Sequence, residues 1–241
     1  MRGLRQNGGA SKSEPELPEL EVGIHLLKVE SDDRETGPLH SLVLDHLLLN
    51  DGTAVWVDAG GHAVTQSLAS LAPSLRTLER VDVARGFTAH QHYNLVRQLP
   101  EQVDEETSLV VCPAFDHLYR DAEAYADEGE DLLLRALATV ASIANQYDIP
   151  VLVTRTKRDP FSDPIAAAAQ ETIRCERTKF GPRFVGEDFE TLVYPMEHGV
   201  VQTTLAFWKR VLEARVSASD TAKTPSTAKT PSPEVTVDGT D

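Results

Sequence analysis

The chain has 241 residues, 41% of them hydrophobic, and a formal net charge of −15. That length suits one sizeable α/β domain with tails and is short for two. No run approaches the roughly 18 consecutive apolar residues of a membrane span, and Met1 to Pro18 lacks the apolar core of a secretory signal, so a cytoplasmic protein with no membrane partner is expected.

Cys112 and Cys175 are the only two thiols, far from any CxxC spacing, which excludes a disulfide framework and a structural zinc site of that type. Cys112 closes the apolar run from Leu109 and reads as core. The basic residues are sixteen Arg against only seven Lys. With so acidic a total, that balance fits a halophilic host such as a haloarchaeon and opposes non-specific DNA binding.

Residues 1–20 mix Gly, Ser, Pro and charge with no apolar period, and read as a disordered leader. Gly23 to Val29 follows as a strand. Pro38 to Asn50 reads as a helix, with Pro38 at its first position and Leu39, Leu42, Val43, His46 and Leu47 on one face. TAVWVD at 53–58 is a buried strand, Ala63 to Ala72 a helix and Val81 to Arg85 a strand. His90 to Gln98 is a helix expected to stop before Pro100. Leu109 to Cys112 is the next strand.

The longest helix runs from about Glu130 to Tyr147, where Leu133, Leu137, Val140, Ala141 and Ala144 recur at helical spacing, and PVLVT at 150–154 is a strand. Ile173 to Phe180, Glu190 to Tyr194 and Val200 to Phe207 read as consecutive antiparallel strands. Alternating strands and helices imply a mainly parallel sheet covered on both faces, with an antiparallel C-terminal extension. The core therefore spans 21–212. The stretch 213–241 is an acidic, Pro- and Thr-rich disordered tail containing TAKTPS twice in tandem, at 221–226 and 227–232.

Two chemical constellations stand out. His90-Gln-His92, with Asp58, Asp116 or His117 brought near by parallel strands, would be the nucleus of a metal site and a metal-dependent hydrolase, although HExxH spacing is missing. Capping or surface histidines are the plainer reading. Asp45-His46 lacks a matching serine, and no GxSxG elbow occurs, so nucleophilic catalysis has no support. The charges are also segregated. Residues 101–131 hold eleven acidic side chains and one basic, Arg120, whereas 150–185 hold seven basic against four acidic.

Four segments, taken in order, resemble the core of the RecA/RadA recombinase and KaiC-like superfamily: TAVWVDAGG (53–61), RVDVARGFTAHQHYNLVRQLP (80–100), SLVVCPAFDHLYRD (108–121) and PVLVTRTKRDP (150–160). The resemblance implies a RecA-like, P-loop-type fold. It also implies that this is a degenerate copy. A P-loop needs glycines that turn backbone N–H groups toward phosphates, and a Lys. Here the corresponding turn, Glu30 to Gly37, has no Lys, a single Gly, and Glu30, Asp32, Asp33 and Glu35 against Arg34. Like charges ~4 Å apart cost about 1 kcal/mol even in water, so this turn repels a nucleotide's phosphates.

By the same alignment, the family's magnesium-positioning Asp falls at Pro113 and its water-activating Glu at Gly60. Its Asn-Gln pair becomes Arg155-Thr156. No catalytic residue and no cofactor is then expected, and the protein reads as a pseudo-ATPase. The family's DNA-contacting loop falls at about 155–168, so Arg155, Lys157 and Arg158, with Arg174 and Arg177, are the candidate DNA-binding residues in recombination or repair. A RecA/RadA recombinase or an active paralogue is the candidate protein partner, through Phe161 or the leader. A KaiC-like signalling regulator is the alternative role.

Overall fold

A computed structural model describes residues 17–30, 36–121, 128–178, 181–187, 189–190 and 208–216. Seven strands form one sheet: β1 (Gly23–Glu30), β2 (Thr53–Asp58), β3 (Val81–Arg85), β4 (Thr107–Cys112), β5 (Pro150–Val153), β6 (Glu171–Thr178) and β7 (Gly181–Val185). Their order is β3-β2-β4-β5-β1-β6-β7, parallel throughout except for β7, which is antiparallel to β6.

The central strands are apolar on both faces, as a parallel sheet sandwiched between helices requires. On one face, Leu27, Trp56, Val111, Leu152 and Ile173 pack under α1 (Thr36–Leu49), α2 (Thr65–Leu71) and α3 (Leu75–Leu78). On the other, Leu26, Val57, Val110 and Val153 pack under α4 (Ala89–Gln102), α5 (His117–Asp121), α6 (Glu128–Tyr147) and α7 (Asp163–Ala168). No described helix is long and apolar enough to cross a membrane.

Helix α1 is covered all round: every residue from Pro38 to Leu47 is buried. Its inner face lies on the sheet. Over it lie Leu17 and Leu20 and the helix at 208–216, which contributes Trp208, Val211 and Leu212 to the same core. A helix hydrophobic all round is stable only inside a protein, and its polar residues must then find partners. They do. His40 donates to the His62 carbonyl at 2.8 Å, Ser41 donates to the Pro38 carbonyl at 2.8 Å, His46 donates to the Ser108 carbonyl at 2.9 Å, and Asp45 accepts from Arg215 at 3.0 Å.

Several expectations are corrected. Leu17 and Leu20 belong to the core at 2% and 8% exposure, although composition placed them in the leader. The helix at 208–216 runs past 212, where the tail was expected to begin. Helix α4 does not stop before Pro100 but carries it in its last turn, ending at Gln102. Loss of one N–H there removes one backbone bond without displacing the helix. Strand β6 pairs parallel with β1, not antiparallel, and β7 is a strand the sequence pattern had not shown. Glu190 makes one bridge to Val185. The remainder of the expected strands at 190–194 and 200–207 lies outside the described residues.

Candidate functional site at the carboxyl ends of the strands

In open α/β sheets, ligands collect outside the carboxyl ends of parallel strands. The four segments that carry the resemblance all deliver their terminal residues to that edge. What they deliver there is two internally closed networks.

The first is centred on Asp58, the last residue of β2, which is fully buried. One carboxylate oxygen accepts the His62 N–H at 2.9 Å, and the other accepts the Ala63 N–H at 3.4 Å and Arg85 Nε at 2.8 Å. Arg85 also donates to the Ala63 carbonyl at 3.0 Å, so the loop after β2 is tied to the end of β3. Gly61 turns that loop with φ +73°, and a Cβ on Gly60 would come 2.7 Å from the His62 ring. The place where the resemblance puts a general-base Glu is therefore filled by an imidazole, and a longer residue would have to displace it.

The second network is centred on Asp116, also fully buried. It accepts from the Thr156 N–H at 2.7 Å, the Thr156 hydroxyl at 2.8 Å and Arg120 Nε at 2.6 Å. Arg120 makes a second, forked pair with Asp159 at 2.8 and 2.9 Å, and its guanidinium stacks 4.9 Å from the Phe161 ring centroid. The forked Arg120 pair holds the Asp159 carboxyl down to about 2. Ala114, in the left-handed region at φ 46°, is pinned by its N–H to the Thr154 hydroxyl at 2.8 Å. Pro113 itself is buried. Asp116 thus lies three residues beyond Pro113, where the resemblance implies a magnesium-binding Asp, and it accepts from Thr156 of the loop after β5 and from Arg120 of α5.

The P-loop position gives little to a phosphate. If Gly37 is the second glycine of G-x-x-x-x-G-K-[ST], then Pro38 and Leu39 stand at the Lys and Ser/Thr positions. Both are buried, and the Trp208 indole nitrogen lies 3.4 Å from where a Gly37 Cβ would be. Residues 31–35, with Asp32, Asp33 and Glu35, lie outside the described residues.

The sequence-derived residues divide. His90 is exposed and faces Glu128 at 3.5 Å, while His92, two residues on, is buried with Nδ1 2.8 Å from the Tyr119 hydroxyl. Residues two apart on a helix do not share a face, so the proposed His pair does not converge, and no group of His, Cys, Asp or Glu fit for a metal occurs among the described residues. Burial pushes His92 down to about 4. Cys112 and Cys175 are both buried free thiols pushed up to about 12 by burial, the reading expected for Cys112.

Of the five candidate DNA contacts, Arg155 is 9% exposed and turns inward, donating to the Ser162 carbonyl and hydroxyl at 3.3 Å with Asp163 at 3.5 Å. Lys157 and Arg158 are exposed in the loop after β5, and Arg174 is exposed on β6. Arg177 lies in β6 opposite Pro182 of β7. Sequence reasoning missed Lys28, half-buried on β1 in register with Arg174. A basic residue inside an apolar strand was the available signal.

A groove of about 710 Å³ lined by His46, Asn50, Thr107, Asp148 and Pro150 lies at the opposite, amino-terminal edge of the sheet. No protein-family model matches this chain, and no curated protein is similar to it.

Proposed function

We propose that this chain is a RecA-like domain that no longer hydrolyses nucleotide and serves as an accessory protein in DNA recombination or repair, binding DNA, a recombinase partner, or both. The observation that carries the non-hydrolysing half is the closure of the Asp116 network. A catalytic carboxylate must keep a lone pair for metal or water. Asp116 is fully buried and commits three of its roughly four acceptor sites to Thr156 and Arg120. Pro113 and Gly60, which the resemblance places at the magnesium and general-base positions, offer no carboxylate in compensation.

The order of the four segments supports the RecA-like half, as does the delivery of their terminal residues to one edge of the sheet, at the ends of β3, β2, β4 and β5. The DNA half is supported by the exposed cations Lys157 and Arg158 after β5, which have no carboxylate within 4.0 Å among the described residues, in a chain whose total charge otherwise repels polyanions. Purified protein in high salt, given ATP and Mg²⁺, is expected to show no turnover and to retain a recombinase in pull-downs from a matching halophilic extract. Steady turnover that follows enzyme concentration would overturn the reading.

A further inference from the structure

Strand β1 lies between β5 and β6, and this order gathers cations that are far apart in the sequence. Lys28 sits near the carboxyl end of β1. Arg174 is its register partner on β6, and Arg155 and Arg158 follow β5 on the other side. Residues at matched positions of neighbouring parallel strands project from the same face, here the face whose apolar residues on β1 are Ile24 and Leu26, beneath α6 and α7.

Counter-charge on this patch is short. Arg155 has Asp163 at 3.5 Å, and Arg174 has Glu176 only at 3.9 Å, because Glu176 is held by Arg183 at 2.6 Å. Lys28, Lys157 and Arg158 have no carboxylate within 4.0 Å among the described residues. Among the described residues, the acidic group acting on Lys28 is Glu30, on its own strand. Burial, followed by the neighbouring Arg155, Arg158 and Arg174, makes the Lys28 ammonium easier to deprotonate than an ordinary lysine. A half-buried ammonium in register with one guanidinium, Arg174, and under the positive field of Arg155 and Arg158 is costly unless an anion joins them. Guanidinium forks are shaped for oxyanions, and several cations around one point favour a multiply charged one.

We propose that Lys28, Arg158 and Arg174 form a binding site for a phosphate group, carried by either a nucleic-acid backbone or a free polyphosphate, on the β1–β6 face. It rests on the reading above only for the nucleic-acid arm, because hydrolysis and pull-down test that reading without involving Lys28.

The test is fluorescence anisotropy of a labelled 15-nucleotide oligo-dT at several salt concentrations, with a parallel calorimetric titration of inorganic tripolyphosphate. Lys28→Gln and Arg158→Gln are each expected to weaken the probe that binds by about tenfold, the loss expected of one charge-assisted hydrogen bond. For the oligonucleotide, each should also lower the slope of log K against log salt by about 0.7. Arg158 is exposed, so its variant tests the site even if Lys28→Gln fails to fold. Lys209→Gln, which changes net charge equally on the helix at 208–216, should bind as the unaltered chain does. Binding of oligo-dT alone assigns the phosphate to a nucleic-acid backbone, of tripolyphosphate alone to a free polyphosphate, and of both to either source. Failure of both probes to bind, or Arg158→Gln binding both as tightly as the unaltered chain, overturns the proposal.

Discussion

The two halves of the sheet's carboxyl edge treat charge in opposite ways. Around β2, β3 and β4, the buried carboxylates Asp58 and Asp116 are met by arginines and backbone N–H groups until little hydrogen-bonding capacity remains. Around β1 and β6, Lys28, Lys157 and Arg158 have no carboxylate within 4.0 Å among the described residues. The first half spends its charges on holding loops in place. The second keeps them available. An acidic chain gains nothing in stability from clustered, unmatched lysine and arginine, so the asymmetry teaches that the open half is where an external anion belongs.

Substitutions can break or sharpen this contrast. The largest effect is expected from Arg120→Ala, which leaves the buried Asp116 carboxylate without its guanidinium partner. Removing one member of a buried pair costs about 3–5 kcal/mol, and denaturant unfolding should report a loss of that size. A loss below about 1 kcal/mol would show that the Asp116 network is not a closed structural clasp.

Acid should act on the same half. His92 is held down to about 4 by burial, so as pH falls from its ordinary value near 6.5, the unfolded chain takes up a proton that the folded protein refuses. Stability is present above that window and lost as pH descends through it, by about 3 kcal/mol from this group. Unfolding series from pH 7 to pH 4 should show a shallower loss for His92→Gln than for the unaltered protein. Parallel curves would mean that His92 does not control it.

Arg155→Ala comes next, at about 2 kcal/mol, because its side chain is buried against Ser162. Its neighbour Arg158→Ala should change unfolding by less than about 0.5 kcal/mol while weakening phosphate binding. Equal stability losses at the two positions would erase the distinction between an inward structural arginine and an outward one.

Much of the fold was legible because its information is local. The runs at 53–58, 81–85, 109–112 and 150–154 are apolar or β-branched and bounded by turn residues, and they appear as strands within a residue or two. The pattern Gly-Pro-Arg-Phe-Val at 181–185 carries little apolar alternation and predicts no element, yet it forms β7, where Phe184 packs in the core beside Trp208. Leu17 and Leu20 were hidden by their Pro- and Glu-rich surroundings. Their burial depends on α1 needing an outer cover, which a one-face reading of that helix did not supply.

The site was legible in its losses and opaque in its geometry. Pro113, Gly60 and the acidic turn can be read off the chain, whereas the inward turn of Arg155 depends on Ser162 and Asp163 folding back beneath it. Lys28 stands out locally only as a basic residue inside an apolar strand. Its importance comes from Arg158 and Arg174, more than a hundred residues away, and local pattern carries no information about which strands become neighbours.

The position of β1 also sets a timetable. It leaves the ribosome before the other strands of the described sheet, yet its two sheet neighbours are β5 and β6, and α1 waits for Trp208 and Leu212 to cover it. Roughly 160 residues separate the end of α1 from that cover, which at about 5–20 residues per second amounts to roughly 8–30 s of synthesis. During that interval the most apolar helix of the molecule has no complete binding place in its own chain. The nascent protein is therefore expected to depend on chaperones until the helix at 208–216 emerges.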